Sequence, residues 1–395
     1  MAILTFNWRE LTPPLRGSSR AEGDAWGGVN MNNYRRYLWV CLALVLCMTL
    51  LGGVTRLTGS GLSITEWKLV HGTLPPLNAG QWAEEFAAYQ ASPEYVKKNF
   101  HMDLQDFKGI FWLEYLHRLL GRIIGLVFLS GAIYYAVRRN IAPIFMRRNF
   151  LLVGLVAGQG LMGWLMVKSG LIDNPHVSHY RLCAHLLLAT LIAAVIYRTI
   201  LSGEELMATN DCPPLAGGQL KTSKAKSETG GVTCPPRIAC GALHLASATP
   251  PQGGSKKNHF CKMIFWLIII QICYGAFVAG LKAGYIYNEF PLMAGSFLPP
   301  ENWSIIPAWR NLLEHHATVQ FIHRWFAFVV FASLIWQYLR LKTKDALLVV
   351  GIAVIQISLG IATLLSVVAI PLASAHQIMA IILVLAQLRV IYAQK

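Results

Sequence analysis

An all-α integral membrane protein, with eight transmembrane helices arranged as two parallel-repeat four-helix bundles, is predicted by three observations on the 395-residue chain. The chain is 55% hydrophobic and only 13% charged, against roughly 25% charge in an average soluble domain. Its apolar residues fall in long charge-free runs. A set of residues also returns at a nearly fixed spacing in the second half.

The charge-free runs are Tyr37–Thr55, Ile123–Val137, Phe150–Val167, Leu182–Tyr197, Met263–Leu281, Trp325–Leu339 and Ala346–Leu388. A helix needs about 20 residues to span a bilayer. The last run holds 43, enough for two helices, and Pro371 marks the break between them. Extending the shorter runs through isolated polar residues places helices near 37–57, 111–137, 150–168, 180–200, 261–281, 315–340, 346–366 and 371–391. Four divisions follow: a cytoplasmic tail over 1–36, an N-terminal four-helix half over 37–202, a linker over 203–259 and a C-terminal four-helix half over 260–395. The linker is rich in Gly, Pro, Ser, Thr and Lys without an apolar period and reads as disordered.

The formal net charge of +15 would suggest nucleic acid in a soluble protein. Here it sorts by side of the membrane. With the N-terminus inside, 22 of the 34 Lys and Arg fall on inner segments and 9 on outer ones, leaving Arg118, Arg122 and Arg324 within helices. The positive-inside rule then puts both termini in the cytoplasm or its equivalent, and no nucleic-acid partner is needed. The tail has no apolar signal core and mixes Arg9, Arg16 and Arg20 with Glu10, Glu22 and Asp24. That composition argues against a cleaved signal and supports a mitochondrial presequence only weakly. The 8 Cys are scattered without a CxxC pair, so neither a disulfide framework nor a zinc site is readable.

The repeat is the strongest internal signal. Gly52, Gly61, Glu66, Leu69, Gly72 and Pro76 return 223 positions later as Gly275, Gly284, Glu289, Leu292, Gly295 and Pro299, with Trp67 matched by Phe290. Further on, Leu116-His117-Arg118 answers Ile322-His323-Arg324, Gln159 and Gly163 answer Gln356 and Gly360, and Ala184-His185 answers Ala375-His376. Four helices per half make these parallel repeats.

His117, His185, His323 and His376 each lie about two turns inside the outer end of an even-numbered helix. All four are expected in one layer near the outer face. Imidazole at membrane depth needs a partner, and two imidazoles facing each other across a bundle suit the axial positions of a heme iron. A hydrogen bond to a neighbouring helix would satisfy one such residue, but four related by a repeat point to ligation. Copper fits less well, since no Met or Cys forms a ligand pattern around them. His71, His101, His176, His179, His315, His316, His244 and His259 read as solvated loop or helix-start residues. Glu114 stands one turn before His117, where the second half has Gln320. Either it forms a local i,i+4 ion pair with Arg118 or it is a tuned acid serving a reaction. Arg118 and Arg324 either neutralise heme carboxylates or pair locally.

These motifs resemble those of the heme A synthase family. The likeness rests on the run from Gly52 to Trp67 (GGVTRLTGSGLSITEW), on Glu114-Tyr-Leu-His-Arg118 and Gln320-Phe-Ile-His-Arg324, and on Ala375-His-Gln377. It covers nearly everything except the tail and 203–259. The resemblance implies an eight-helix membrane enzyme that oxidises the C8 methyl group of heme O to a formyl group, giving heme A for terminal oxidases. It implies that His323 and His376 are axial ligands of a bound heme b, that His117 and His185 hold the substrate heme, and that Glu114 is an acid needed for activity. The other heme would pass the electrons onward. A heme O synthase is the implied upstream partner; an electron acceptor, the lipid bilayer and, as an open alternative to a monomer, a homo-oligomer complete the expected partners. Residues 59–110 contain no Cys, so the chain resembles the branch lacking a cysteine pair in the first outer loop. The expected location is a bacterial inner membrane, the alternative a mitochondrial one. A bis-His electron carrier like a membrane cytochrome b is the rival reading, and Glu114 without a second-half counterpart argues against its symmetry. A transporter is supported only by the repeat.

Overall fold

The computed structural model describes residues 31–66, 74–139, 141–171, 177–210, 252–299 and 304–394. Eight helices long and apolar enough to cross a membrane stand in it, and the protein is a multi-pass membrane protein. They are α1 (Met31–Leu57), α2 (Leu104–Arg138), α3 (Pro143–Gly170), α4 (His179–Asn210), α5 (Gln252–Gly280), α6 (His316–Leu341), α7 (Lys344–Leu365) and α8 (Ile370–Ala393). Large apolar side chains such as Leu126, Leu129, Ile133 and Val137 line one outward stripe of α2, a surface suited to lipid tails and costly in water.

Polar residues set the ends beyond the apolar runs. The side chain of Asp103 accepts from the backbone N–H groups of Gln105 and Asp106, closing a capping box that starts α2. Pro143 and Pro371 lie in the first turns of α3 and α8, where a missing N–H costs nothing. Arg139 and Lys342 end α2 and α6 in left-handed conformations, turning the chain directly into α3 and α7.

Several boundaries differ from those expected. Helix α2 begins at Leu104 rather than near 111, because its first turns are held by the aqueous capping box and an aromatic cluster rather than by lipid. The linker assigned to 203–259 is helical at both ends, since α4 runs to Asn210 and α5 starts at Gln252; its remainder and the 1–30 tail lie outside the described residues. The loop before α2 contains a helix, Ala79–Gln90, capped by Asn78, and a π turn over Tyr95–Asn99. Tyr89, Phe107, Ile110, Phe111 and Tyr115 form a buried cluster beneath it. A search for charge-free runs passes over such a helix, which carries Glu84 and Glu85.

Two closed rings of neighbours result: α1 and α3 each contact α2 and α4, while α5 and α7 each contact α6 and α8. The rings meet where α4 packs on α5 and where α8 packs on α1 and α4. Polar links stitch that seam. Gln377 on α8 donates its amide to the carbonyl of Thr49 on α1 at 2.9 Å, and Arg56 donates to the carbonyl of Ala279 at 2.7 Å. Inside the second ring, Gln337 and Gln387 exchange reciprocal amide bonds at 2.9 and 2.8 Å, and Gln387 also donates to the carbonyl of Cys261. Both glutamines are fully buried. Replacing Gln387 with Leu orphans the buried Gln337 amide, so a loss of about 1–3 kcal/mol is expected. A lower thermal midpoint in detergent would show it, and an unchanged midpoint would count against the network.

Candidate functional site

The described residues between α1 and α2 and between α5 and α6 lie at the same end of the bundle as the four repeat histidines, here called the long-loop end. His185, His323 and His376 stand six, seven and six residues into α4, α6 and α8, about 9–11 Å along the axis at 1.5 Å per residue. His117 stands 13 residues into the longer α2, about 20 Å from its start. All four rings are half-buried rather than sealed in packing.

Each ring lies against a glycine of a neighbouring helix. A Cβ placed on Gly52 would sit 3.1 Å from Nε2 of His117, one on Gly275 3.0 Å from Cε1 of His323, one on Gly163 3.6 Å from Cε1 of His185, and one on Gly360 2.8 Å from Cε1 of His376. The glycines were visible in the sequence as members of the repeat, but their part in making room for imidazoles was not.

The second-half rings face each other with centroids 6.4 Å apart and planes at 89°. Two imidazoles bound to opposite sides of one iron, at metal–nitrogen bonds of about 2 Å, place their centroids about 6 Å apart. The observed spacing fits that group. Nδ1 of His376 lies 3.0 Å from the carbonyl of Gln356; donating there leaves Nε2 as the acceptor nitrogen, met only by the Gln356 amide at a long 3.5 Å, an arrangement typical of ligating histidines. The amide of Gln271 donates to the carbonyl of His323 at 2.8 Å and lies 3.1 Å from its Nδ1. In the first half, His117 and His185 are near enough to interact electrostatically. Among the described residues no ring contact of the second-half kind joins them. Nδ1 of His185 is buried without a hydrogen-bond partner, unlike Nδ1 of either second-half ring.

Glu114 is 2% exposed and fully paired. Its Oε1 accepts from Nε and Nη2 of Arg118 at 3.0 and 2.6 Å, and its Oε2 from Ser63 Oγ and the Ile64 N–H at 2.7 and 2.8 Å. Arg118 also donates to the carbonyls of Ile64 and Glu66, so the pair pins the segment after α1 onto α2. The ion pair with Arg118 is therefore present. In the second half Gln320 donates to the carbonyl of Tyr287, and Arg324 to those of Tyr287, Pro291 and Leu292. The contacts correspond, but one half uses a carboxylate and the other an amide. Of the histidines read as solvated, His315 instead caps α6 by accepting from the N–H of Thr318, and His179 packs on Phe277 and Gly280 at the seam. His71, His176 and His244 lie outside the described residues, as do Trp67, Leu69 and Gly72 of the repeat.

A cleft of about 340 Å³ is lined by Thr65, Glu66, Arg118, Trp164, Val167, Lys168 and Leu171. Lys168 lies over the Trp164 ring at 4.9 Å. Nothing in the sequence singled out Lys168 or Trp164, because only folding brings the end of α3 beside Arg118. Two cations facing one cleft suit an anionic ligand.

Histidine pairs of this kind, set in a membrane bundle with apolar surroundings, suit an integral membrane protein that handles heme. Relatives narrow that class. A family described as cytochrome oxidase assembly protein matches residues 35–225 and 231–388, and the chain belongs to it. A heme A synthase of Rhodospirillum centenum is 43% identical over 86% of this chain and 83% of its own length. One from Nitrosospira multiformis is 41% identical over 89% and 90%, and one from Wolbachia pipientis wMel 38% over 88% of each.

Proposed function

We propose that the protein oxidises the C8 methyl group of heme O to a formyl group, producing heme A for terminal oxidase assembly. Membership of the family and the names of its relatives support the reaction. The observation that carries the division of labour is the contrast between the two histidine pairs. His323 and His376, with ring centroids 6.4 Å apart, would hold a resident heme b. His117 and His185, which lack such a ring contact and leave Nδ1 of His185 unpartnered, would hold the substrate heme, and the two halves are parallel repeats on one scaffold. A bound heme supplies one-electron redox chemistry that amino acids lack.

The chain's own residues orient and exclude. Arg118 and Lys168 take the carboxylates of the substrate heme, fixing its rotation. The segment 63–66, fastened by Glu114, closes the long-loop end against water. Glu114 takes part in proton handling at the substrate edge, a role the amide of Gln320 cannot fill in the other half. The proposed setting is a bacterial inner membrane with both termini cytoplasmic. Its proposed partners are a heme O synthase upstream, an electron acceptor, and further copies in a homo-oligomer. A simple electron carrier would have no need of the difference between Glu114 and Gln320.

The test is heme extraction from a host that makes heme O but lacks its own converting enzyme. Expression of this chain should produce heme A. Heme O persisting unchanged, with the protein present in the membrane, would contradict the reading.

A further inference from the structure

We propose that Gln377 is a positioning residue that couples the two heme sites across the seam, so that filling one strengthens binding at the other. The inference rests on the reading of the two histidine pairs given above. Gln377 follows His376 directly on α8, yet its side chain reaches into the other half. Its amide donates to the carbonyl of Thr49 on α1 at 2.9 Å. It also lies against Gly53, where a Cβ would come 2.8 Å from Oε1 and 3.2 Å from both Cδ and Nε2. The residue before it, Gly52, is the glycine behind the His117 ring, and a Cβ there would sit 3.1 Å from Nε2. One side chain thus joins a histidine of the second pair to the wall behind a histidine of the first. Every link from His376 through Gln377, Gly53 and Gly52 to His117 is a covalent bond or a direct contact.

The repeat separates this link from ordinary helix packing. By the same offsets that relate the histidines and glycines, Gln377 corresponds to Leu186 beside His185, while Thr49 and Gly53 correspond to Ile272 and Ala276. Helix α4 packs on α5 just as α8 packs on α1, but there the three places hold apolar residues, and Ile272 and Ala276 are buried. The two crossings therefore differ in chemistry. An amide and a glycine stand at the crossing beside His376, and aliphatic side chains stand at the other. Glycine at 53 is what lets the amide approach the backbone of α1 so closely.

Coupling requires contacts that differ between the filled and the empty state. When the second-half site is filled, the His376 ring is held by the iron on one side and by the carbonyl of Gln356 on the other. That fixes the rotation of α8 at this level and holds the next side chain, Gln377, in place on Thr49 and Gly53. Helix α1 then keeps Gly52 at its station behind His117. When the site is empty, the freedom left to α8 must be given up as the first site fills, which weakens binding there. The effect is reciprocal by linkage, since a ligand ordering His117 and Gly52 also orders Gln377. Gln377 touches neither heme in this account and acts through its neighbours.

The test titrates ferric heme O into the purified full-length protein, with its resident heme and with that heme removed by His323→Ala, and follows the absorbance change that His117→Ala abolishes. Affinity should be about fivefold or more higher with the resident heme in place, the low end of measured couplings between sites. In Gln377→Leu, which copies Leu186, the ratio of the two affinities should fall to about one. Gly53→Ala displaces the amide without touching a histidine and should do the same, and the double variant should be no worse than either single one. Gln387→Leu, a loss of buried packing away from the seam with α1, should lower the thermal midpoint and leave the ratio as in the wild type. A ratio of one in the wild type, a ratio retained in Gln377→Leu, or additive losses in the double variant would each overturn the coupling. If the wild type shows no binding that depends on His117, the reading of the first pair fails. The seam link is then decided by the rate at which resident heme passes to apomyoglobin: Gly53→Ala, in the other half, should speed it about fivefold or more, and an unchanged rate overturns the proposal.

Discussion

Replacing His376 with Ala is expected to abolish retention of the resident heme while leaving the helices in place. The ring at 376 faces His323 with centroids 6.4 Å apart, and its Nδ1 is held by the carbonyl of Gln356, so under the proposed assignment removing it takes away an iron ligand. Loss of an outer-shell partner typically weakens metal binding 10–100-fold, and loss of the ligand itself should exceed that, about 10²-fold or more. Absorption spectra of the purified variant would read the change, and an intact bis-histidine spectrum would refute the assignment. Gly360→Ala is a subtler form of the same experiment. A methyl there would come within 2.8 Å of the His376 ring, closer than packed atoms approach. The ring must turn or the helices part, and a 10–100-fold weaker retention is expected. Because Gly360 contributes no atom to coordination, such a loss would locate the ligand by its surroundings alone.

Glu114→Gln should halt heme A formation while heme b stays bound. The amide keeps the size of the side chain and an acceptor for Ser63 and Ile64, and Gln320 already fastens the corresponding segment of the second half with an amide. The first half would then resemble the second in shape but lose its carboxylate. Output should fall about 10²–10⁴-fold, the range for a positioned acid–base group. Heme A output equal to the wild type's would remove Glu114 from the chemistry and leave it as the fastener of residues 63–66. A parallel fall in heme b content and thermal stability would point to the same structural role, since breaking a buried ion pair costs about 3–5 kcal/mol.

Much of this arrangement was legible before any coordinates. Eight spans followed from charge-free runs, because a bilayer tolerates few charges over about 20 residues. The four histidines stood out because the chain repeats itself around them. Other parts could not be read from the sequence. The first turns of α2 are held by Asp103 and by stacking of Tyr89 on Phe107, which are aqueous-side interactions without membrane periodicity. The helix Ala79–Gln90 is short and charged. Gly360 and Gly163 were visible as repeat members, yet a glycine's reason shows only when a ring is laid against it. Lys168 and Trp164 owe their place beside Arg118 to the meeting of distant segments, and no spacing in the sequence announces them.

The most direct test of the central claim is the heme inventory of the purified protein, taken by pyridine hemochrome spectra and mass analysis. The expected result is heme b together with heme O or heme A, with the heme b signal lost in His323 and His376 variants and the other heme lost in His117 and His185 variants. Two equivalents of heme b, distributed equally between the halves and unaccompanied by heme O or heme A, would contradict it and describe an electron carrier instead.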